Sequence, residues 1–197
     1  MKEGAIGILG GSFDPVHNAH LSMARTALAA LGLERVLWIP SGTPPHRAAP
    51  VASAAHRAAM IRLAIESEPR FALDERELRK TAPAYTVETL EDLRGEFGAK
   101  ADLVLLIGAD QHAQLESWRR WRDLYAFARI AVFARPDYSI GNTDKVTIVP
   151  MTPLDISSTT IRSRIAAGEP IRGMVPDAVL DYIETNRLYS TQERRSR

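Results

Sequence analysis

Short apolar runs alternate with longer segments of helical periodicity along this chain. Ala5–Leu9 is an apolar run closed by Gly10-Gly11, which predicts a strand. Asn18 to Gly32 predicts a helix: Asn18 suits an N-cap, Leu21, Ala24, Leu28 and Leu31 share one stripe, and Gly32 stands at the C-terminal position. Val36–Ile39 is a second strand, followed by the stiff segment Pro40-Ser41-Gly42-Thr43-Pro44-Pro45. Ala54–Ser67 reads as a helix with Met60, Leu63 and Ala64 inward; Phe71–Leu73 and Glu77–Lys80 are weak strand candidates. Thr86–Phe97 is helical on Val87, Leu90 and Leu93, and Leu103–Ile107 is a fully apolar strand closed by Gly108. The pattern continues with a helix over Leu115–Phe127, strands at Arg129–Phe133 and Val146–Val149, and helices at Ser158–Ala167 and Pro176–Asn186. In the last of these the proline falls in the first turn. Strands alternating with helices predict an α/β fold, Rossmann-like and doubly wound, with a mostly parallel sheet and helices on both faces. Residues 1–190 read as a single domain. Residues 191–197, three arginines and no apolar side chain, read as a disordered basic tail.

Composition narrows the function. The 197 residues are 45% apolar and 25% charged, with 25 Lys plus Arg against 24 Asp plus Glu and a net charge of +1. So even a balance argues against a partner held by phosphate neutralisation along a nucleic acid, while a local cluster for a small anion stays possible. The absence of cysteine excludes disulfides, thiolate catalysis and cysteine-ligated metals. No signal-peptide pattern and no run of ~20 apolar residues occurs, so a cytoplasmic chain without a membrane partner is expected.

Ligands of an open parallel sheet bind beyond the carboxyl ends of its strands. The first such end carries Gly10-Gly11-Ser12-Phe13-Asp14-Pro15-Val16-His17-Asn18-Ala19-His20. Two glycines allow a sharp turn with bare N–H groups, and the following helix adds its positive end. The segment is neither the dinucleotide fingerprint nor a P-loop. In place of a lysine it has His17 just before the helix and His20 in its first turn, both placed to face one phosphate. A plain turn with surface histidines is the simpler alternative. Zinc would need a third ligand, which no spacing supplies. Further along, Ser157 or Ser158 can cap a helix whose first turn forms a second anion site. Arg162 lies near that N-terminus, where the dipole disfavours a cation unless a polyphosphate reverses the balance, and its guanidinium suits bidentate phosphate recognition.

These two segments resemble the signatures of the nucleotidyltransferase α/β-phosphodiesterase superfamily, G-x-F-x-P-x-H-x-G-H and I-S-S-T-x-I-R, the second matched by Ile156–Arg162. Ala19 replaces the usual glycine. The middle of the chain resembles bacterial nicotinate-nucleotide adenylyltransferases in Pro44-Pro45-His46-Arg47, in Tyr85-Thr86-Val87-Glu88-Thr89-Leu90, and in Gly108-Ala109-Asp110 with Trp118 eight residues after Asp110. Ala84 and Arg119 depart from the family's common serine and second aromatic. The resemblance covers Ile6 to about Tyr189. It implies a single nucleotidyltransferase domain that joins ATP to nicotinate mononucleotide by direct attack on the α-phosphorus, releasing pyrophosphate, as a step in NAD biosynthesis.

The same resemblance implies roles. His17, His20 and Arg162 would be catalytic. Gly10, Gly11, Ser12, Phe13, Gly108, Asp110, Ile156, Ser157 and Ser158 would bind ATP, and Asp110 has an N-cap as its structural alternative. His46, Arg47, Tyr85, Thr86, Trp118 and Arg119 would bind the acceptor, although from the residues alone Trp118 reads more readily as a half-buried helix aromatic and Trp121 as core. Mg²⁺ would arrive on ATP, with no protein metal site. Pantetheine-phosphate adenylyltransferase and a non-catalytic nucleotide-binding module are the alternatives.

Overall fold

The computed structural model describes residues 4–42, 49–134, 145–152 and 154–190. Six strands form one sheet: β1 (Ala5–Gly11), β2 (Leu33–Pro40), β3 (Phe71–Leu73), β4 (Leu103–Gly108), β5 (Arg129–Ala134) and β6 (Val146–Pro150). Their order is β3-β2-β1-β4-β5-β6 and every pairing is parallel. This is the doubly wound order, and its reversal of direction lies between β1 and β4.

Period-two alternation divides the strands between two cores. Leu9, Val36, Trp38, Val104, Leu106, Ala131 and Phe133 face one side, where α1 (Asn18–Leu31), α2 (Ala54–Ile65), α6 (Ser158–Ala166) and α7 (Asp177–Thr185) contribute their apolar faces. Ile6, Ile8, Leu37, Ile39, Leu103, Leu105, Ile107, Ile130 and Val132 face the other, packed on α3 (Thr86–Phe97) and α5 (Leu124–Phe127). Burial of β4 on both faces explains its unbroken apolar run.

Several elements differ from the sequence reading. Glu77–Lys80 is a turn, because Glu77 is turned inward to meet the Thr89 hydroxyl while Arg79 and Lys80 donate back to the carbonyls of Glu75 and Glu77. The expected helix over Leu115–Phe127 is broken into two 3₁₀ turns before α5: Trp118 is extended and Arg120 is left-handed at φ 51°. An unanticipated short helix, α4 (Ala109–Ala113), follows β4. The cap residue of α1 is His17 rather than Asn18, whose side-chain amide instead donates to the Gly173 carbonyl at 2.8 Å. Pro176 occupies the cap position of α7. Trp121, expected in the core, is half-buried at its rim against Tyr125. Among the described residues no helix is long and apolar enough to cross a membrane. The expected tail at 191–197 lies outside the described residues.

Candidate active site

The ladder between β1 and β4 runs from Ile6 opposite Leu103 to Leu9 opposite Leu106, so Gly11 and Gly108 stand two residues past its last pair. The turn after β1 therefore opens at the crevice where the winding reverses. A Cβ on Gly11 would come within 3.2–3.3 Å of the Phe13 ring, which folds back under the turn. Phe13 is fully buried against Trp38 and His20 and holds φ at +48°, a left-handed geometry that a non-glycine residue keeps only when its surroundings enforce it.

His17 caps α1 and His20 stands three residues on in its first turn, their rings stacked with centroids 3.7 Å apart. The His17 amide donates to Nδ1 of His20 at 3.2 Å, which leaves Nε2 of the neutral His20 ring as its proton-bearing donor. His17 is buried and its Nδ1 has no partner among the described residues. Burial pulls the His17 pKa down to about 4; burial and then the neighbouring His17 hold His20 well below the ordinary imidazole range. Both rings are neutral at pH 7. The site thus offers neutral donors and an orphaned buried nitrogen at a helix N-terminus.

The second motif is fastened to the same turn. The cap residue of α6 is Ser157, which accepts from the Thr160 amide at 3.1 Å. Ser158 donates its hydroxyl to the Pro15 carbonyl at 2.9 Å, so what it offers an anion is its backbone amide. Ile156 packs against the α1-side core. Arg162, half-buried, donates to the Asp14 carbonyl at 2.6 Å and comes within 3.8 Å of the Asp14 carboxylate. The dipole at this N-terminus is therefore opposed by a carboxylate that holds the guanidinium in place.

Asp14 is one of several residues that pattern reading missed. It is buried, and its carboxylate accepts from the amides of Val51 and Ala52 at 2.7 and 3.0 Å and from the Tyr189 hydroxyl at 2.8 Å. Burial and the adjacent Asp14 hold the Tyr189 phenol above its usual range. Arg57, also buried, donates to the Ser12 carbonyl at 2.7 Å. One signal was present: a cation at 57 shares a helical face with Met60, Ile61 and Ala64.

The described residues expected to bind the acceptor lie on the other face. Tyr85 precedes Thr86, the first residue of α3, and both Tyr85 and Trp118 pack against the α3-side core. The Arg119 guanidinium lies 4.5 Å from the centre of the Tyr85 ring and 3.7 Å from Glu88. Thr89 donates to Glu77 at 2.6 Å, and burial raises the Glu77 carboxyl. Asp110 is exposed at the second position of α4, one carboxylate oxygen 2.6 Å from where a Cβ on Gly108 would lie; the Gly108 amide donates to Gln111 instead, and Gly108 is the cap. Gly10 and Ser12 flank the turn, Gly10 exposed and Ser12 half-buried. His46 and Arg47 lie outside the described residues. No group of three or more His, Cys, Asp or Glu among the described residues could hold a metal ion.

Residues 8–164 match the model of the cytidylyltransferase-like family. A probable nicotinate-nucleotide adenylyltransferase of Chromobacterium violaceum is 46% identical, over 93% of this chain and 98% of that protein. One from Dechloromonas aromatica is 43% identical, over 93% and 97%. The solved structure of Plasmodium falciparum nicotinic acid mononucleotide adenylyltransferase complexed with NaAD superimposes with a TM-score of 0.79 at 18% identity, over 94% of this chain and 97% of that one.

Proposed function

The chain belongs to the nicotinate-nucleotide adenylyltransferases within the cytidylyltransferase-like family, and from that premise we propose which of its residues join ATP to nicotinate mononucleotide, giving nicotinate adenine dinucleotide and pyrophosphate in NAD biosynthesis. The observation that carries the reading is the convergence of two helix N-termini on one turn. The stacked His17 and His20 open α1, and α6 is bolted alongside through Ser158 to Pro15 and Arg162 to Asp14.

The mononucleotide phosphate is already ionised, so it attacks the α-phosphorus without a general base. One P–O bond forms there while the bond to the bridging oxygen breaks, and the electron pair leaves on pyrophosphate. Such a transfer is accelerated by alignment and by donors aimed at developing charge. Neutral His20 donates from Nε2 to a phosphate oxygen, and His17 lies beside it. Gly10 and Gly11 let the chain approach, and the Ser12 and Phe13 amides face the α-phosphate. Ile156, Ser157, Ser158 and Arg162 hold the leaving pyrophosphate, while Gly108 and Asp110 border the nucleoside. Mg²⁺ enters as part of the ATP substrate, coordinated mainly by phosphate oxygens.

The α3 N-terminus with Tyr85, Thr86, Trp118 and Arg119 receives the pyridine ring, its carboxylate drawn by the helix dipole and the Arg119 charge. By the resemblance, His46 and Arg47 belong to the set that binds the acceptor. Residues 1–190 act as a single catalytic domain, and the enzyme works in the cytoplasm, where its nucleotide substrates are found. Pyrophosphate release from Mg-ATP, run in parallel with nicotinate mononucleotide, nicotinamide mononucleotide and phosphopantetheine, tests the reading. Marked preference for the first is expected; equal use of the first two means that the pyridine pocket ignores the carboxylate. Preference for phosphopantetheine, or silence with all three, overturns it.

A further inference from the structure

Two guanidiniums donate to carbonyls of the phosphate turn. Arg57 of α2 donates to the Ser12 carbonyl at 2.7 Å, and Arg162 of α6 donates to the Asp14 carbonyl at 2.6 Å. Of the two, Arg57 is the more deeply buried, and the nearby Asp14 carboxylate offsets only part of the cost of burying it, since desolvation outweighs that attraction. Arg57 is 2% exposed, its Nε is buried without a partner among the described residues, and it sits in the first turn of α2, where the helix dipole disfavours a cation. A neutral donor could satisfy one carbonyl at far lower desolvation cost.

The geometry of the peptide unit supplies a reason. In a trans peptide the C=O and N–H point in opposite directions. With the Ser12 carbonyl drawn toward α2, the Phe13 amide is turned away from it. That amide donates to no group among the described residues, although Phe13 is fully buried. A buried orphan donor calls for a ligand. A positive charge on the carbonyl side also polarises the peptide and strengthens the N–H as a donor. The left-handed φ of +48° at Phe13 is a geometry that must be enforced, and Arg57 acts on the peptide that leads into it.

We propose that Arg57 is a positioning residue for adenylyl transfer, orienting and polarising the Ser12–Phe13 peptide so that the Phe13 amide serves as a polyphosphate donor. The proposal rests on the reading of this turn as the phosphate site. Titration calorimetry with inorganic pyrophosphate and Mg²⁺ tests it on the wild type, Arg57→Met and Arg57→Lys, because stoichiometry reports the folded fraction and Kd reports the site. Arg57→Met is expected to weaken Kd by about tenfold with stoichiometry near one. Its kcat should also fall with little change in KM for nicotinate mononucleotide. In Arg57→Lys a buried ammonium can lose its proton where a guanidinium cannot, so its Kd should weaken more steeply than that of the wild type between about pH 7 and pH 10. An unchanged Kd with reduced stoichiometry in Arg57→Met overturns the proposal. So do superimposable pH profiles for Arg57→Lys and the wild type, which decide the matter should the Met variant not fold. A wild type that turns over but binds no pyrophosphate overturns the phosphate reading beneath it.

Discussion

His20 and His17 share a turn but differ in what their loss should do. His20 has its Nδ1 occupied by the His17 amide, so its Nε2 proton is fixed in direction, and His20→Ala removes a preorganised donor. Turnover should drop by ~100-fold or more with the melting temperature nearly unchanged; activity within a few-fold of wild type would refute the assignment. His17 speaks through stability. Its folded pKa, lowered to about 4 by burial, lies below the unfolded value near 6.5, so the unfolded chain binds the extra proton between them. Stability from this group is complete above pH 6.5 and is lost as pH falls toward 4, by about 3 kcal/mol over the whole interval. Denaturant titrations at stepped pH should show that slope in the wild type and a shallower one in His17→Asn. Parallel slopes would place the acid sensitivity elsewhere.

The elements that periodicity captured are those whose cause is local or wholly apolar. The stripe of α1, the inward face of α3 and the unbroken run of β4 each report a face buried in a core, and burial leaves that period in the sequence. Where the polar partner is distant, the pattern misled. Glu77 reads as one residue of a weak strand, yet it is turned in to accept from Thr89 twelve residues on, and this bond ties the turn after β3 to the first turns of α3. Thr89→Val keeps the shape and removes the donor, leaving a buried carboxyl short of a partner, a loss of about 1–3 kcal/mol. Burial already raises the Glu77 pKa, so the fold favours its neutral form, and stability from that preference falls as pH rises through the folded value. The substitution raises the value further. Urea midpoints for Thr89→Val should therefore fall further below wild type at pH 8 than at pH 5; an equal or reversed gap would contradict this origin.

At the scale of the molecule, the two recognisable motifs could be read as one phosphate site because each has a local signature, glycines before histidines and serines before an arginine. The frame that joins them could not. Asp14 gathers two amides from the start of the α2 region and the hydroxyl of Tyr189, 175 positions away, and nothing in a period of 3.6 or 2 announces such a partnership. It makes the end of the described chain a structural neighbour of the first turn, with α7 packed on α2. If that connection unites the ends, the C-terminal helices do not unfold on their own. Tyr189→Phe preserves the buried ring and removes one hydrogen bond to a carboxylate, a loss of about 1–3 kcal/mol. Its urea unfolding should shift to a lower midpoint as a single transition with an unchanged m-value, followed in parallel by far-UV circular dichroism and tryptophan fluorescence. Two separated transitions, or a reduced m-value, would mean that α6 and α7 form a detachable layer and that the Asp14 frame does not couple the phosphate turn to the rest of the fold.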